Sequence, residues 1–159
     1  MKKIKHPVPE KHLKAIGDII ISFALLESSL QFLIGRIINI DQRIQHVITA
    51  ELSFRNLRGL LTSLYLETYS NDSKFAELKT LIIQAAKLEA ERNKIVHSIW
   101  GAGENENFIT RIKTTAKEKK GLNFQYEVMS IGQIEKIAED IKIWVYGIET
   151  FRFNTREHK

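Results

Sequence analysis

The chain reads as a mainly α-helical domain: an antiparallel helical bundle with one β-hairpin inserted near residues 107–129. Three observations predict this. Apolar residues recur at steps of three and four over most of the 159 residues, the period of helices with one face in a core. That period gives way to alternation only between Phe108 and Met129, the pattern of half-buried strands. A hydrophobic content of 43% beside 27% charged residues is that of a globular chain, and this length buries a core without staples.

Pro9 is suited to open the first helix, because its missing N–H is one the first turn leaves unbonded anyway, and the helix is expected to run to about Asn39. Its apolar residues span a wide arc, with Ile16, Ile20, Phe23, Leu30, Ile34 and Ile37 on one side and Leu26, Leu33 and Ile38 beside them. An arc that wide asks for cover on two sides, and a second subunit is one way to supply it. Asp41 can cap a short helix to about Leu52, and Ser53 the next, with Leu57, Leu60, Leu61, Leu64 and Tyr65 facing inward. The polar run Ser70-Asn71-Asp72-Ser73 breaks the chain and carries the cap of a long helix, expected to end near Trp100 at Gly101-Ala102-Gly103. Phe108–Thr115 and Leu122–Met129 then alternate around the connection Ala116-Lys117-Glu118-Lys119-Lys120-Gly121. Ser130 followed by Gln133 is a capping-box pattern. It opens a last amphipathic helix carrying Ile131, Ile134, Ile137, Ile141, Trp144, Val145 and Ile148, and a polar tail runs from Arg152 to Lys159. With no repeat and no linker, residues 1–159 are expected to form one domain.

Composition narrows the chemistry. The chain has no cysteine, which removes disulfides and thiolate metal sites, and its five histidines are scattered; no metal site and no cofactor is expected. The net charge of +5 and a pI near 9.4 favour an anionic partner such as nucleic acid, although a solvated basic surface accounts for them equally well. Lys2, Lys3 and Lys5 resemble the start of a secretory signal, but Pro7, Pro9, Glu10 and Lys11 interrupt the apolar run such a signal needs next. Ile19–Ile34 is very apolar, yet its roughly sixteen residues fall short of the roughly twenty that cross a bilayer, and Glu27 sits at its centre. It is read as a buried helix of a cytoplasmic protein with no membrane partner.

The most informative stretch is Glu91-Arg92-Asn93-Lys94-Ile95-Val96-His97. The apolar seam of the long helix runs Leu78, Leu81, Ala85, Leu88, Arg92, Ile95, Ile99, so Arg92 stands where an aliphatic residue is expected. A charge on a core-facing stripe is costly unless it is paired or used. Its best candidate partner is Glu27, which interrupts the seam of the first helix in the same way, so the two are expected between one pair of helices within ion-pairing reach. On a straight helix Arg92 and His97 lie about 140° apart, while Asn93 and His97 share a face with the small residues Ala86 and Ala90. Either two copies meet there, each lending an arginine and a histidine to one cleft, or the helix bends near its end. The bland alternatives are a structural ion pair for Arg92 and a dipole-stabilising cation for His97.

Arg92-Asn93 followed after three residues by His97, near the end of a long helix, resembles the signature of the HEPN superfamily, and Phe23-Ala24-Leu25-Leu26-Glu27 resembles the acidic first helix of some bacterial members. The likeness covers about Pro9–Trp100 and the last helix, and leaves the hairpin as an elaboration. It implies a metal-independent endoribonuclease, a toxin or defence effector working as a homodimer with a composite cleft and neutralised by an antitoxin partner. Arg92, Asn93 and His97 would be its catalytic residues and Glu27 a supporting one, with RNA cut to a 2′,3′-cyclic phosphate. Lys94, Lys117, Lys119 and Lys120 are the cations nearest to hand for an RNA backbone. Two rivals stand beside this expectation: a non-catalytic helical dimerisation module, and a nucleotide-sensing domain.

Overall fold

A computed structural model describes residues 6–69, 73–117 and 121–154. Local rules account for most helix starts. Helix α1 (Glu10–Ile37) follows Pro9, which occupies the capping position rather than the first turn. Helix α2 (Gln42–Thr49) is capped by the Asp41 carboxylate, which accepts from the Arg43 amide. Helix α3 (Phe54–Thr68) is capped by Ser53 Oγ, which accepts from the Asn56 amide. Helix α4 (Phe75–Val96) starts behind Lys74 with no side-chain cap; residues 70–72 of the expected polar break lie outside the described residues. Helix α5 (Ile131–Asn154) carries the expected box: the Ser130 amide donates to Gln133 Oε1 and the Gln133 amide to Ser130 Oγ.

Two expectations are corrected. The long helix stops at Val96, not near Trp100, and Ile99–Ala102 forms a strand, β1. With β2 (Phe108–Lys117) and β3 (Gly121–Ser130) it makes a three-stranded antiparallel sheet in the order β1-β2-β3, so the element between α4 and α5 is larger than a hairpin. Its register pairs Trp100 with Arg111 and Ile109 with Met129. Just past β1 the chain passes so close to β2 that position 103 needs glycine: a Cβ there would lie 2.2 Å from the Phe108 carbonyl oxygen.

The second correction concerns helix direction. Lys142 Nζ bonds Asp18 at 2.6 Å, and the Arg152 guanidinium lies 5.8 Å from the Phe32 ring centre. Helices α1 and α5 therefore run in the same direction along their extensive contact. Phe54 against Phe23 and Tyr65 against Phe151 place α3 parallel to them as well. Helix α4 is the antiparallel member: Arg58 meets Glu89, and Lys74 Nζ reaches the Asn154 carbonyl. The cause is where the sheet sits. Asn107 accepts from Lys11 Nζ and from the Ile131 amide, so the chain re-enters α5 at the end where α1 begins.

One core joins these elements, with Ile19, Leu26, Leu30, Leu33, Leu57, Leu61, Tyr65, Leu78, Ile95, Ile109 and Ile134 fully enclosed. The seam of α4 is buried at Leu78, Leu81, Ala85, Leu88 and Ile95, as expected, whereas Ile99 stands on β1 and is exposed. Helix α1 is long and apolar enough, by length and composition, to cross a membrane; here its inner side lies in this core while Leu13, Ile20, Ile21 and Leu25 face outward.

Candidate functional site

The end of α4 is built from three kinds of contact. Arg92 is half-buried, with its guanidinium 5.1 Å from the centre of the Phe23 ring and Nη1 donating to Asn93 Oδ1 at 2.9 Å. Phe23 packs on Phe54 with ring centres 4.6 Å apart, and Arg58 lies 5.7 Å from the Phe54 ring. Arg58 is tied to Glu89 at 2.9 Å, one turn before Arg92. Two guanidiniums thus flank a pair of rings across α1, α3 and α4. A cation over a ring gains about 0.5–2 kcal/mol, more as water is excluded, which is how α4 carries an arginine in its apolar seam.

The expected Glu27–Arg92 ion pair is not formed: among the described residues no carboxylate lies within 4.0 Å of Arg92. The pair of helices is as expected, but Arg92 meets α1 at Phe23, one turn before Glu27. Glu27 is only partly buried, and a carboxylate that keeps its water gains little from a surface-type pair. Arg92 Nε is buried and has no hydrogen-bond partner among the described residues.

His97 caps the C-terminus of α4, with its amide on the Asn93 carbonyl and backbone angles that have left the helix (φ −100°, ψ 17°). Its ring is exposed and makes no hydrogen bond among the described residues. Asn93 does not orient it; the Asn93 side chain is engaged by Arg92 instead. The three motif residues thus divide into a fixed pair, Arg92 and Asn93, and a free imidazole one turn on. Lys94, also exposed, pairs with Glu91. Lys117 ends β2 opposite Gly121, and Lys119 and Lys120 lie outside the described residues.

Residues the motif did not point to hold this end in place. Arg111 on β2 is only 9% exposed. It reaches Glu127 through Nε at 2.9 Å and Nη2 at 2.7 Å, and donates to Ser98 Oγ at 3.3 Å. Ser98 Oγ in turn donates to the Lys94 carbonyl, and Trp100 Nε1 to the Ile95 carbonyl. Carbonyls that the helix end would leave unbonded are thus taken by the segment leading into β1, and the sheet clamps the turn bearing His97. In sequence, an arginine alternating within a strand resembles any solvated strand cation.

Among the described residues no three His, Asp or Glu side chains converge. Elsewhere, His12 is fully buried. Burial holds its imidazole below the ordinary 6.5, and Lys11 adds to this; the Asn107 backbone and the Glu135 carboxylate oppose it only in part. The Asn107 backbone comes near without a well-formed hydrogen bond, and both ring nitrogens remain without a partner among the described residues. No family model, curated protein or solved structure matches this chain.

Proposed function

We propose that the protein is a metal-independent endoribonuclease of the HEPN type, its helices forming the bundle of that superfamily. The observation that carries this is the end of α4: an exposed imidazole at the helix cap, one turn beyond a half-buried guanidinium fixed by a ring and an amide. These are the two functions that transesterification of RNA requires. The 2′-hydroxyl attacks the adjacent phosphorus as the 5′-oxygen leaves, giving a 2′,3′-cyclic phosphate and a 5′-hydroxyl. His97 moves a proton to or from these oxygens. Arg92 stabilises the charge that builds on the non-bridging oxygens, and Asn93 holds the guanidinium. In this reading Glu27 does not pair with Arg92 but adds a partly solvated carboxylate beside the Phe23 contact. Lys94, Lys117, Lys119 and Lys120 contribute backbone attraction only.

The cleft is composite. Helix α1 leaves Leu13, Ile20, Ile21 and Leu25 exposed, and α4 leaves Ala90 exposed, so a second copy has an apolar face to cover and can bring the two His97 rings together. The setting is a cytoplasmic effector held in check by an antitoxin. The test is cleavage of labelled RNA in EDTA by the wild type and by His97→Ala. Cleavage by the wild type alone, with a cyclic-phosphate end and no attack on DNA, is expected; equal cleavage by His97→Ala ends the proposal.

One observation favours a second reading, a non-catalytic dimerisation module. Arg92 is already occupied by Phe23 and Asn93, as a purely structural arginine would be. A folded dimer that cleaves no RNA selects that reading.

A further inference from the structure

Strand β3 and the outer part of β2 extend beyond the helices. Side chains alternate across a sheet, and the core takes the odd positions: Ile109 and Met129 are buried and Arg111 nearly so. The even positions therefore face away from the helices. On β3 they are Leu122, Phe124, Tyr126 and Val128, which are 62%, 49%, 68% and 54% exposed. Across the register Tyr126 stands beside Ile112, which stands beside Ile99, itself 63% exposed. An apolar ladder this long and this open marks an interaction surface.

We propose that this face packs against the same face of a second copy, the two sheets stacked as in a sandwich. Three features select a second copy. The face is largely self-complementary in size: β3 forms a ridge of large side chains, and its register partners on β2, Ala116 opposite Leu122, Thr114 opposite Phe124 and Thr110 opposite Val128, form a shelf of small ones broken only by Ile112 opposite Tyr126. A two-fold axis parallel to the strands, between β2 and β3, lays the ridge of each copy on the shelf of the other, which is the self-matching an isologous contact demands. The face carries no charge, since Arg111, Lys113 and Glu127 all stand at odd positions, so stacking strands no ion away from water. A nucleic-acid platform would instead set cations beside its rings. The patch is on the order of a few hundred Å² per copy, and doubled it approaches the roughly 1,000 Å² total of a weak specific interface. This contact is independent of the nuclease proposal and separate from the α1–α4 contact of its composite cleft.

Sedimentation of the full chain tests it. Phe124→Lys and Tyr126→Lys, at exposed positions, should keep wild-type circular dichroism and melting, and each should weaken one self-association step at least tenfold. Phe124→Leu should not, and Leu25→Lys on α1 should retain that step. The absence of native cysteine permits a single spin label at Lys113→Cys, on the opposite face. Sheets stacked about 10 Å apart place the two labels within roughly 30 Å. The proposal is overturned by a wild type that stays monomeric at about 100 μM, by hairpin variants that associate as the wild type does, or by labels well beyond that distance. It is also overturned if the lysine variants lose affinity for single-stranded RNA while keeping their self-association, which would make the rings a base-stacking surface.

Discussion

Arg92 and Arg111 flank the same turn of chain, and folding has treated them in opposite ways. Arg111 is nearly enclosed and meets a carboxylate through two nitrogens and a hydroxyl through a third. Arg92, more open, is held by a ring face and one amide; among the described residues no carboxylate is within 4.0 Å of it and its buried Nε has no hydrogen-bond partner. A guanidinium neutralised on two edges has little left for a ligand. One steadied on its face and a single edge keeps its charge for an incoming anion. In the proposed function the clamp falls to Arg111 and the chemistry to Arg92, although both look in sequence like an arginine interrupting an apolar pattern.

The largest effect should fall on activity at the Arg92 side. His97→Ala should lower RNA cleavage by about 10²- to 10⁴-fold through lost proton transfer, and Arg92→Ala by about 10²- to 10³-fold through lost charge stabilisation. Both variants should melt close to wild type, since the ring contact is worth only about 1 kcal/mol. Single-turnover cleavage with parallel calorimetry separates the two quantities, and a collapse in stability with Arg92→Ala would erase the contrast.

Arg111→Ala should behave in the reverse manner. It should cost about 2 kcal/mol of stability by urea denaturation, below the figure for a fully buried pair because Glu127 is itself 54% exposed. Cleavage at low temperature, where the variant remains folded, should fall far less than in Arg92→Ala.

A smaller effect concerns His12, whose ring nitrogens, like Arg92 Nε, have no hydrogen-bond partner among the described residues. Its folded pKa is depressed, so below about 6.5 the unfolded chain binds a proton that the folded chain refuses. Stability is complete above that value and declines as pH falls through it, with a slope of at most about 1.4 kcal/mol per pH unit. His12→Leu should flatten the decline between pH 7 and 5 in thermal melts; an unchanged slope would place the pH dependence elsewhere.

The smallest effect tests the corrected ion pair. With no bond to Arg92, Glu27→Ala should change stability by less than about 1 kcal/mol, and Glu27→Gln by no more. A loss of several kcal/mol would mean that Glu27 and Arg92 do pair in solution.

What the sequence decided by itself is local. The caps at Asp41, Ser53 and Ser130, most of the inner stripes of α1, α3, α4 and α5, and the two long strands were legible, although Ile20, expected on the inner side of α1, faces outward. Each depends on hydrogen bonds and periodicities reaching no more than a few residues along the chain. The motif at Arg92, Asn93 and His97 was legible as a pattern for the same reason.

Tertiary structure decided what depends on distant residues meeting. Ile99–Ala102 became a strand because β2 offered an unpaired edge, and that partner outweighed the helix signal continuing from α4. Helix α5 runs parallel to α1 because Asn107, nearly a hundred residues after Lys11, anchors both at one end. Arg92 settled on Phe23 rather than Glu27, a choice between neighbours one helical turn apart that spacing cannot distinguish. Arg111 found Glu127 only through the register of β2 against β3. A periodic pattern states which face of an element is buried; only packing determines which neighbour lies against it, because that choice is set by the shape and desolvation of both partners together.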